Sequence, residues 1–209
     1  MSPAADSSGA VLHLMRCRLA AGAAMPPVDE GRLLAGITAA RERIPAAVLV
    51  PIVLRASGPT LLFTRRTTHL RDHAGQISFP GGRCEAGDAT PEQTALREAR
   101  EEVGIDPDQV ELLGRLPEYR TVTGFVITPV VGLVTPPLNL RIDDFEVAEV
   151  FESPLGFLLD RKNHLRHSLE FEGEQREFWA IPWQDHYIWG ATAGMLVSLC
   201  HAVFNGEAA

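Results

Sequence analysis

The chain has 209 residues, is 45% hydrophobic and carries a formal net charge of −8. That length can bury one α/β core without disulfide or metal staples, and the acidic balance argues against a nucleic-acid binder, which needs a basic surface. No apolar run reaches the roughly 18–20 residues of a membrane span, and the start lacks a basic stretch followed by an apolar one, so neither a membrane nor secretion is expected.

Residues 1–25, rich in Ala, Ser, Gly and Pro, read as a disordered or frayed extension, which leaves 26–209 as a single domain. Leu33, Leu34 and Ile37 give Val28 to Arg43 helical spacing. Ala46 to Leu54 is β-branched and interrupted by Pro51, so it reads as a buried strand. Further strands are expected near 60–65, 75–79, 110–116, 121–134, 146–152, 167–172 and 175–182, the last two as a hairpin around Gly173. Trp189 to Phe204 reads as a closing helix, apolar at Met195, Leu196, Leu199 and Val203. Strands and helices without strict alternation predict a mixed sheet between helices, an α/β (α+β) architecture.

The most informative helix lies between. Thr90-Pro91-Glu92-Gln93 places Thr90 at the N-cap, Pro91 at N1 and Gln93 at N3, a capping box with a preset first φ. Gly104 is an αL stop, so the helix is expected from about Pro91 to Val103. Glu98, Glu101 and Glu102 stand at i, i+3 and i+4 and share one face. With Glu98 at 0°, Glu101 falls near 300° and Glu102 near 40°, whereas Leu96, Ala99 and Val103 fall at roughly 100–160°. Like charges so placed cost about 0.2–0.5 kcal/mol per pair. Only Arg97, four residues before Glu101, offsets them. A bare Glu-x-x-Glu-Glu is more often a solvated acidic face; the surrounding residues reverse that reading in favour of a face that holds a metal ion.

This strand, glycine loop and acidic helix resemble the Nudix box, Gly-x5-Glu-x7-Arg-Glu-(apolar)-x-Glu-Glu-x-Gly-(apolar). Arg97, Glu98, Ala99, Glu101, Glu102, Gly104 and Ile105 match its second half without a gap. The first half departs: Gly82 lies one residue further from Arg97 than the general pattern, and the early glutamate position is Ala89, with Asp88 or Glu85 as candidates to stand in. Upstream, Leu62-Phe63-Thr64-Arg65-Arg66-Thr67, Arg71, Gly75 and Phe79-Pro80-Gly81-Gly82 resemble the second motif of the coenzyme A pyrophosphatase branch, with Phe63 for leucine and Thr67 for serine. Val122-Thr123-Gly124-Phe125, Thr128-Pro129-Val130-Val131 and Trp189-Gly190-Ala191-Thr192-Ala193 continue the similarity, which covers roughly residues 46–205.

The resemblance implies the Nudix α/β/α sandwich and metal-dependent hydrolysis of the pyrophosphate of coenzyme A or its thioesters, giving 4′-phosphopantetheine (or its acyl form) and 3′,5′-ADP. Its other readings are hydrolysis of another nucleoside diphosphate derivative, such as ADP-ribose or a dinucleotide, and a ligand sensor without turnover. It implies Mg²⁺ or Mn²⁺ on Glu98, Glu101 and Glu102, with Glu146 as a further ligand. Glu101 is assigned as base and Arg97 as a second catalytic-site residue. The expected substrate-binding residues are Arg66, Arg71, Gly81 and Gly82, since an arginine fork suits phosphate. The implied partner is a small-molecule diphosphate, and a homodimer is compatible with the family.

Other polar residues carry less. His69 and His73 lie in an expected loop without the convergent partners zinc needs. Cys84 has no triad pattern beside it, and Trp179, Trp183 and Trp189 suit core or sheet-edge packing more than an adenine platform, with stacking of a base by one of them left open. Cys17, Cys84 and Cys200, odd in number and widely spaced, fit a reducing cytoplasm.

Overall fold

The structure, a computed structural model, describes residues 3–20, 28–29, 43–69, 73–121, 123–171 and 174–204. Its larger sheet is built around β2 (Ile44–Val53). Successive side chains of a strand point to opposite faces. Ala47, Leu49 and Val53 accordingly enter one core, while Val48, Val50 and Ile52 enter another. β2 runs parallel to β8 (Phe125–Val134) over its full length and antiparallel to β3 (Thr60–Arg66). β3 continues to the short β4 (Ile77–Ser78) and to β9 (Val147–Pro154), both antiparallel. β5 (Gly81–Arg83) pairs with the start of β2. β6 (Val110–Arg115) and β7 (Tyr119–Arg120) pair with β8, and β1 (Val28–Asp29) lies parallel to β7.

Helices cover both faces. α2 (Pro91–Val103) lays Ala95, Ala99 and Val103 on Leu49, Leu62 and Val130. On the opposite face α1 (Pro3–Ala20) and α4 (Gly190–Phe204) pack Met15, Leu196 and Leu199 against Ile52, Phe63 and Val131. The short α3 (Leu155–Leu159) adds Leu155 and Leu158 to that core. A second, antiparallel sheet of β10 (Leu165–Phe171), β11 (Glu174–Trp183) and β12 (His186–Trp189) contributes Ile181 and Ile188 to it. The expected mixed sheet between helices is present. No helix among the described residues is long and apolar enough to cross a membrane.

Several local expectations are corrected. Pro3–Ala20 is a helix, although 1–25 was expected to be disordered: its alanines are strong helix formers. Met15 and Leu19, four apart, are buried on one side, and Arg16 makes a two-armed pair with Glu111 at 3.0 and 2.8 Å. Val28 and Asp29 form a strand rather than the start of a helix. The remainder of that expected helix, with Leu33, Leu34 and Ile37, lies outside the described residues. The strand expected over 75–79 is shorter, only Ile77–Ser78 (β4) pairing, and the separate β5 follows at Gly81–Arg83 beyond Pro80, which has no N–H to give a ladder. The expected hairpin is seen in the pairing of Phe171 with Glu174, Gly173 itself lying outside the described residues. β12, directly before the closing helix, carried too short a signal to be read.

Candidate active site

α2 is held at both ends by its own sequence. Thr90 Oγ1 accepts from Gln93 N at 3.3 Å, Gln93 Oε1 accepts from Ala89 N at 2.6 Å, and Pro91 fills the first turn. At the other end Gly104 takes φ 74°, where its N–H bonds Arg100 O and that of Ile105 bonds Ala99 O, a Schellman closure that glycine adopts without strain. The span of the helix that carries the three glutamates is therefore fixed by local hydrogen bonds.

The sheet separates what the helix period grouped. The side chain of Glu102 is 6% exposed, that of Glu98 16% and that of Glu101 60%. The order follows angular distance from the buried stripe of Ala95, Ala99 and Val103, to which Glu102 is nearest at about 100° per residue. Glu102 is thus a buried carboxylate, and Glu101 stands at the rim.

Around Glu102 the glycine loop and β3 converge. Gly81 N donates to Glu102 Oε2 at 3.2 Å. Arg66 Nη1 stands 3.8 Å from Glu102 Oε1, and its Nη2 stands 3.8 Å from Glu146 Oε2. Burial pushes the Glu102 carboxyl up to about 8; the Gly81 N–H and Arg66 oppose the shift, and the charges of Glu98 and Glu146 add to it. Burial also raises Glu98, against the pull of Arg97 and with the push of Glu101 and Glu146. Glu146, expected as an outlying ligand, is therefore brought into electrostatic contact with two of the helix carboxylates. Thr67 N fixes its loop by donating to Glu146 O at 2.9 Å.

Arg97 is the hub of the loop–helix junction. Its Nε and Nη2 bond Asp88 Oδ1 and Oδ2 at 3.3 and 3.0 Å, Nη2 also reaches Arg83 O at 3.2 Å, and Nη1 lies 2.9 Å from both Glu98 Oε1 and Glu101 Oε2. Asp88 also accepts from Glu85 N at 3.0 Å and from Thr94 Oγ1 at 2.9 Å. The hydrogen bonds from Arg97 hold it at about 2. Of the two candidates for the missing early glutamate, Asp88 is the one engaged. Glu85 stays 3.9 Å from Arg97 with its side chain mostly in solvent. Arg97 ties Glu98 and Glu101 to the same guanidinium nitrogen.

Gly81 and Gly82, expected at the substrate, pack against the carboxylates. A Cβ on Gly82 would lie 2.5 Å from Glu98 Oε1, so only glycine leaves Glu98 its place. Arg71 lies outside the described residues. Cys84 is a partly buried free thiol. His73 pairs with Gln76 at 2.9 Å, Trp183 packs on Phe157, and Trp189 meets Phe178 edge-on. Sequence reading left Asp88 and Glu85 as equal candidates and missed one feature, the exposed ring of Phe145 beside Glu146, for which the sequence carried no signal.

The donor set suits a hard divalent cation, which takes carboxylate oxygens. Glu98, Glu102 and Glu146 supply only oxygen, and Glu98 and Glu102 are raised first by burial, with the charge of Glu146 adding to both. Among the described residues no three acids, histidines or cysteines stand in ready-made coordination geometry. Arg66 and Arg97 take up the carboxylates instead. These residues fit the ion by chemistry and by charge, with a side-chain adjustment to close on it.

The family model described as NUDIX domain matches residues 43–168. A protein of Citrobacter koseri described as an uncharacterized Nudix hydrolase NudL is 46% identical over 155 residues, spanning 74% of this chain and 80% of its own length. A protein of Escherichia coli K12 with the same description is 44% identical over 154 residues, again 74% and 80% of the two chains. Among solved structures, a C. elegans Ap4A hydrolase binary complex is similar at 19% identity and a TM-score of 0.47, over 53% of this chain and 80% of the other.

Proposed function

This chain belongs to the Nudix family and is a hydrolase of the pyrophosphatase type, and on that premise we propose that it cleaves the pyrophosphate of coenzyme A or its thioesters to 4′-phosphopantetheine (or its acyl form) and 3′,5′-ADP. The observation that carries this reading is Arg66. It comes from the segment that resembles the coenzyme A motif, and its guanidinium lies between Glu102 and Glu146 at 3.8 Å from each. Those are charge contacts too long for hydrogen bonds. Arg66 Nε is buried with no hydrogen-bond partner among the described residues. A fork with spare donors beside a carboxylate cluster is suited to a substrate phosphate. Arg71, from the same motif, is assigned the same task.

In this reading Glu98, Glu101, Glu102 and Glu146 hold Mg²⁺ or Mn²⁺. Bound there, the ion lowers the pKa of water and neutralises diphosphate oxygens. Glu101, its Oε2 tied to Arg97, takes the proton of the attacking water on Oε1. The new bond joins water oxygen to one phosphorus, and the bridging P–O bond breaks with its electron pair on the leaving phosphate. Asp88 and Arg97 keep Glu98 and Glu101 at their stations, and Gly82 leaves the space. Cys84 takes no part. The three thiols are unpaired, which fits the cytoplasm as the place of action, with a small molecule as the substrate.

The test is turnover of a panel of coenzyme A, acetyl-coenzyme A, ADP-ribose and a diadenosine polyphosphate with Mg²⁺ or Mn²⁺, with products resolved by chromatography. Coenzyme A or its thioester is expected to have the highest kcat/KM and to give 3′,5′-ADP. Preference for ADP-ribose would remove the coenzyme A assignment and leave the hydrolase.

A further inference from the structure

The loop between β8 and β9 is fixed by its backbone. Asp143 N donates to Glu102 O at 2.9 Å, Phe145 N to Asp143 Oδ1 at 3.0 Å, Val147 N to Asp143 O at 2.8 Å, and Thr67 Oγ1 to Phe145 O at 2.8 Å. Yet the ring carried by this rigid segment is 64% exposed. Its ring contact among the described residues is His69, with centroids 4.9 Å apart and planes tilted by 58°. An aromatic left in water forgoes most of the stabilisation that its burial would contribute, and here no backbone freedom accounts for the exposure. The next residue is Glu146, which faces Arg66 and the buried carboxylates.

We propose that Phe145, with His69 beside it, is the stacking platform for the nucleobase of the substrate. The proposal rests on the reading of the carboxylate site as acting on a nucleoside diphosphate, whichever group the second phosphate carries. The base is a flat, weakly hydrated π-face, and a rigid exposed ring meets it at low entropic cost. Arg66 and the carboxylate cluster, which meet the loop at Glu146, the residue after Phe145, take the phosphates. Stacking reads flatness rather than an edge pattern, so the platform favours nucleotides over other diphosphates and leaves finer discrimination to other contacts.

Equilibrium binding of AMP and of ribose 5-phosphate, which differ only in the base and hold no anhydride to cleave, tests this without turnover. Wild type is expected to bind AMP about 5- to 100-fold tighter than ribose 5-phosphate. Phe145→Ala should abolish that ratio and hold ribose 5-phosphate binding within about twofold, whereas Phe145→Trp should keep the ratio and show fluorescence quenching by AMP alone. Equal binding of the two ligands by wild type, or an unchanged ratio in Phe145→Ala, would overturn the platform. Neither result depends on coenzyme A being cleaved, so failure of the platform and failure of the coenzyme A assignment are separately visible.

Discussion

Asp88 accepts both arms of Arg97, at 3.3 Å on Oδ1 and 3.0 Å on Oδ2. This pair closes the glycine loop onto α2 at the position where the general family pattern has a glutamate one residue later. The remaining nitrogen of Arg97 is thereby aimed at Glu98 and Glu101.

Asp88→Asn keeps the shape and removes one charge-assisted arm. Partners that orient a metal site commonly contribute 10- to 100-fold to affinity or activity, and a loss of about that size in kcat is expected, with a lower Tm. The Asp88 carboxyl is held at about 2, below its unfolded value near 3.9. Its stabilisation is thus present above the unfolded value and is lost as pH falls toward 2. The Tm difference between wild type and variant should therefore persist at pH 5 and shrink toward pH 2. An unchanged kcat would make the pair structural only.

Glu102 gives the opposite pH dependence. Its carboxyl sits at about 8 in the folded protein, against about 4.3 unfolded. Between those values the native state keeps a proton that the unfolded chain releases, so the contribution of Glu102 to metal-free stability falls as pH rises through the window and levels off above 8. Glu102→Gln lacks this dependence. Urea unfolding without metal should give similar stabilities below about pH 4 and a more stable variant at pH 9, by on the order of 2–4 kcal/mol. Added Mg²⁺ or Mn²⁺ should stabilise wild type more than the variant, and kcat of the variant should fall at least about 10²-fold. Parallel stability curves across pH would show that Glu102 is not held protonated.

The two loop glycines should fail differently. A Cβ on Gly82 meets the end of the Glu98 side chain at 2.5 Å, whereas one on Gly81 meets Ala47 O at 2.5 Å and Val48 Cα at 2.6 Å. Glu98 can swing aside and backbone cannot. Gly82→Ala should fold, lose at most about 1–3 kcal/mol and bind metal weakly by calorimetry. Gly81→Ala should be the less stable of the two. If Gly82→Ala bound metal as wild type does, Glu98 would not be a ligand.

Arg66→Ala should raise KM for coenzyme A, with a loss of about 1.5–3 kcal/mol in kcat/KM for a charge-assisted contact. Arg66→Lys should recover only part of it, since a point charge lacks the fork. The same comparison for Arg71→Ala, run with coenzyme A and its dephospho form, separates the phosphates. A contact to the ribose 3′-phosphate would leave the dephospho substrate indifferent to the substitution, and equal losses would assign the arginine to the diphosphate or to the loop. Wild-type kinetics in both arginine variants would remove this motif from substrate recognition.

Local signals carried far along this chain. The caps at Thr90 and Gly104 and the i, i+3, i+4 carboxylates are all written within a few turns of one helix, where hydrogen bonds and the 3.6-residue period are set by neighbours in sequence. The apolar run of β2 announced a strand covered on both faces for the same reason. The N-terminal helix was illegible because its composition is that of a solvated tail, and its order comes from burying Met15 and Leu19 on elements about a hundred residues or more away.

By itself the sequence determined α2, its ends and the acidic face, and so the family chemistry. Only the tertiary structure decided that Glu102 is buried while Glu101 stays in solvent, that Asp88 rather than Glu85 seats Arg97, and that Glu146 and Arg66 complete the cluster. A helix period gives angles between side chains but not which angle meets the sheet. That choice is made by the packing of Ala95, Ala99 and Val103 on β2 and β8, and burial, which shifts a carboxylate most, follows from it.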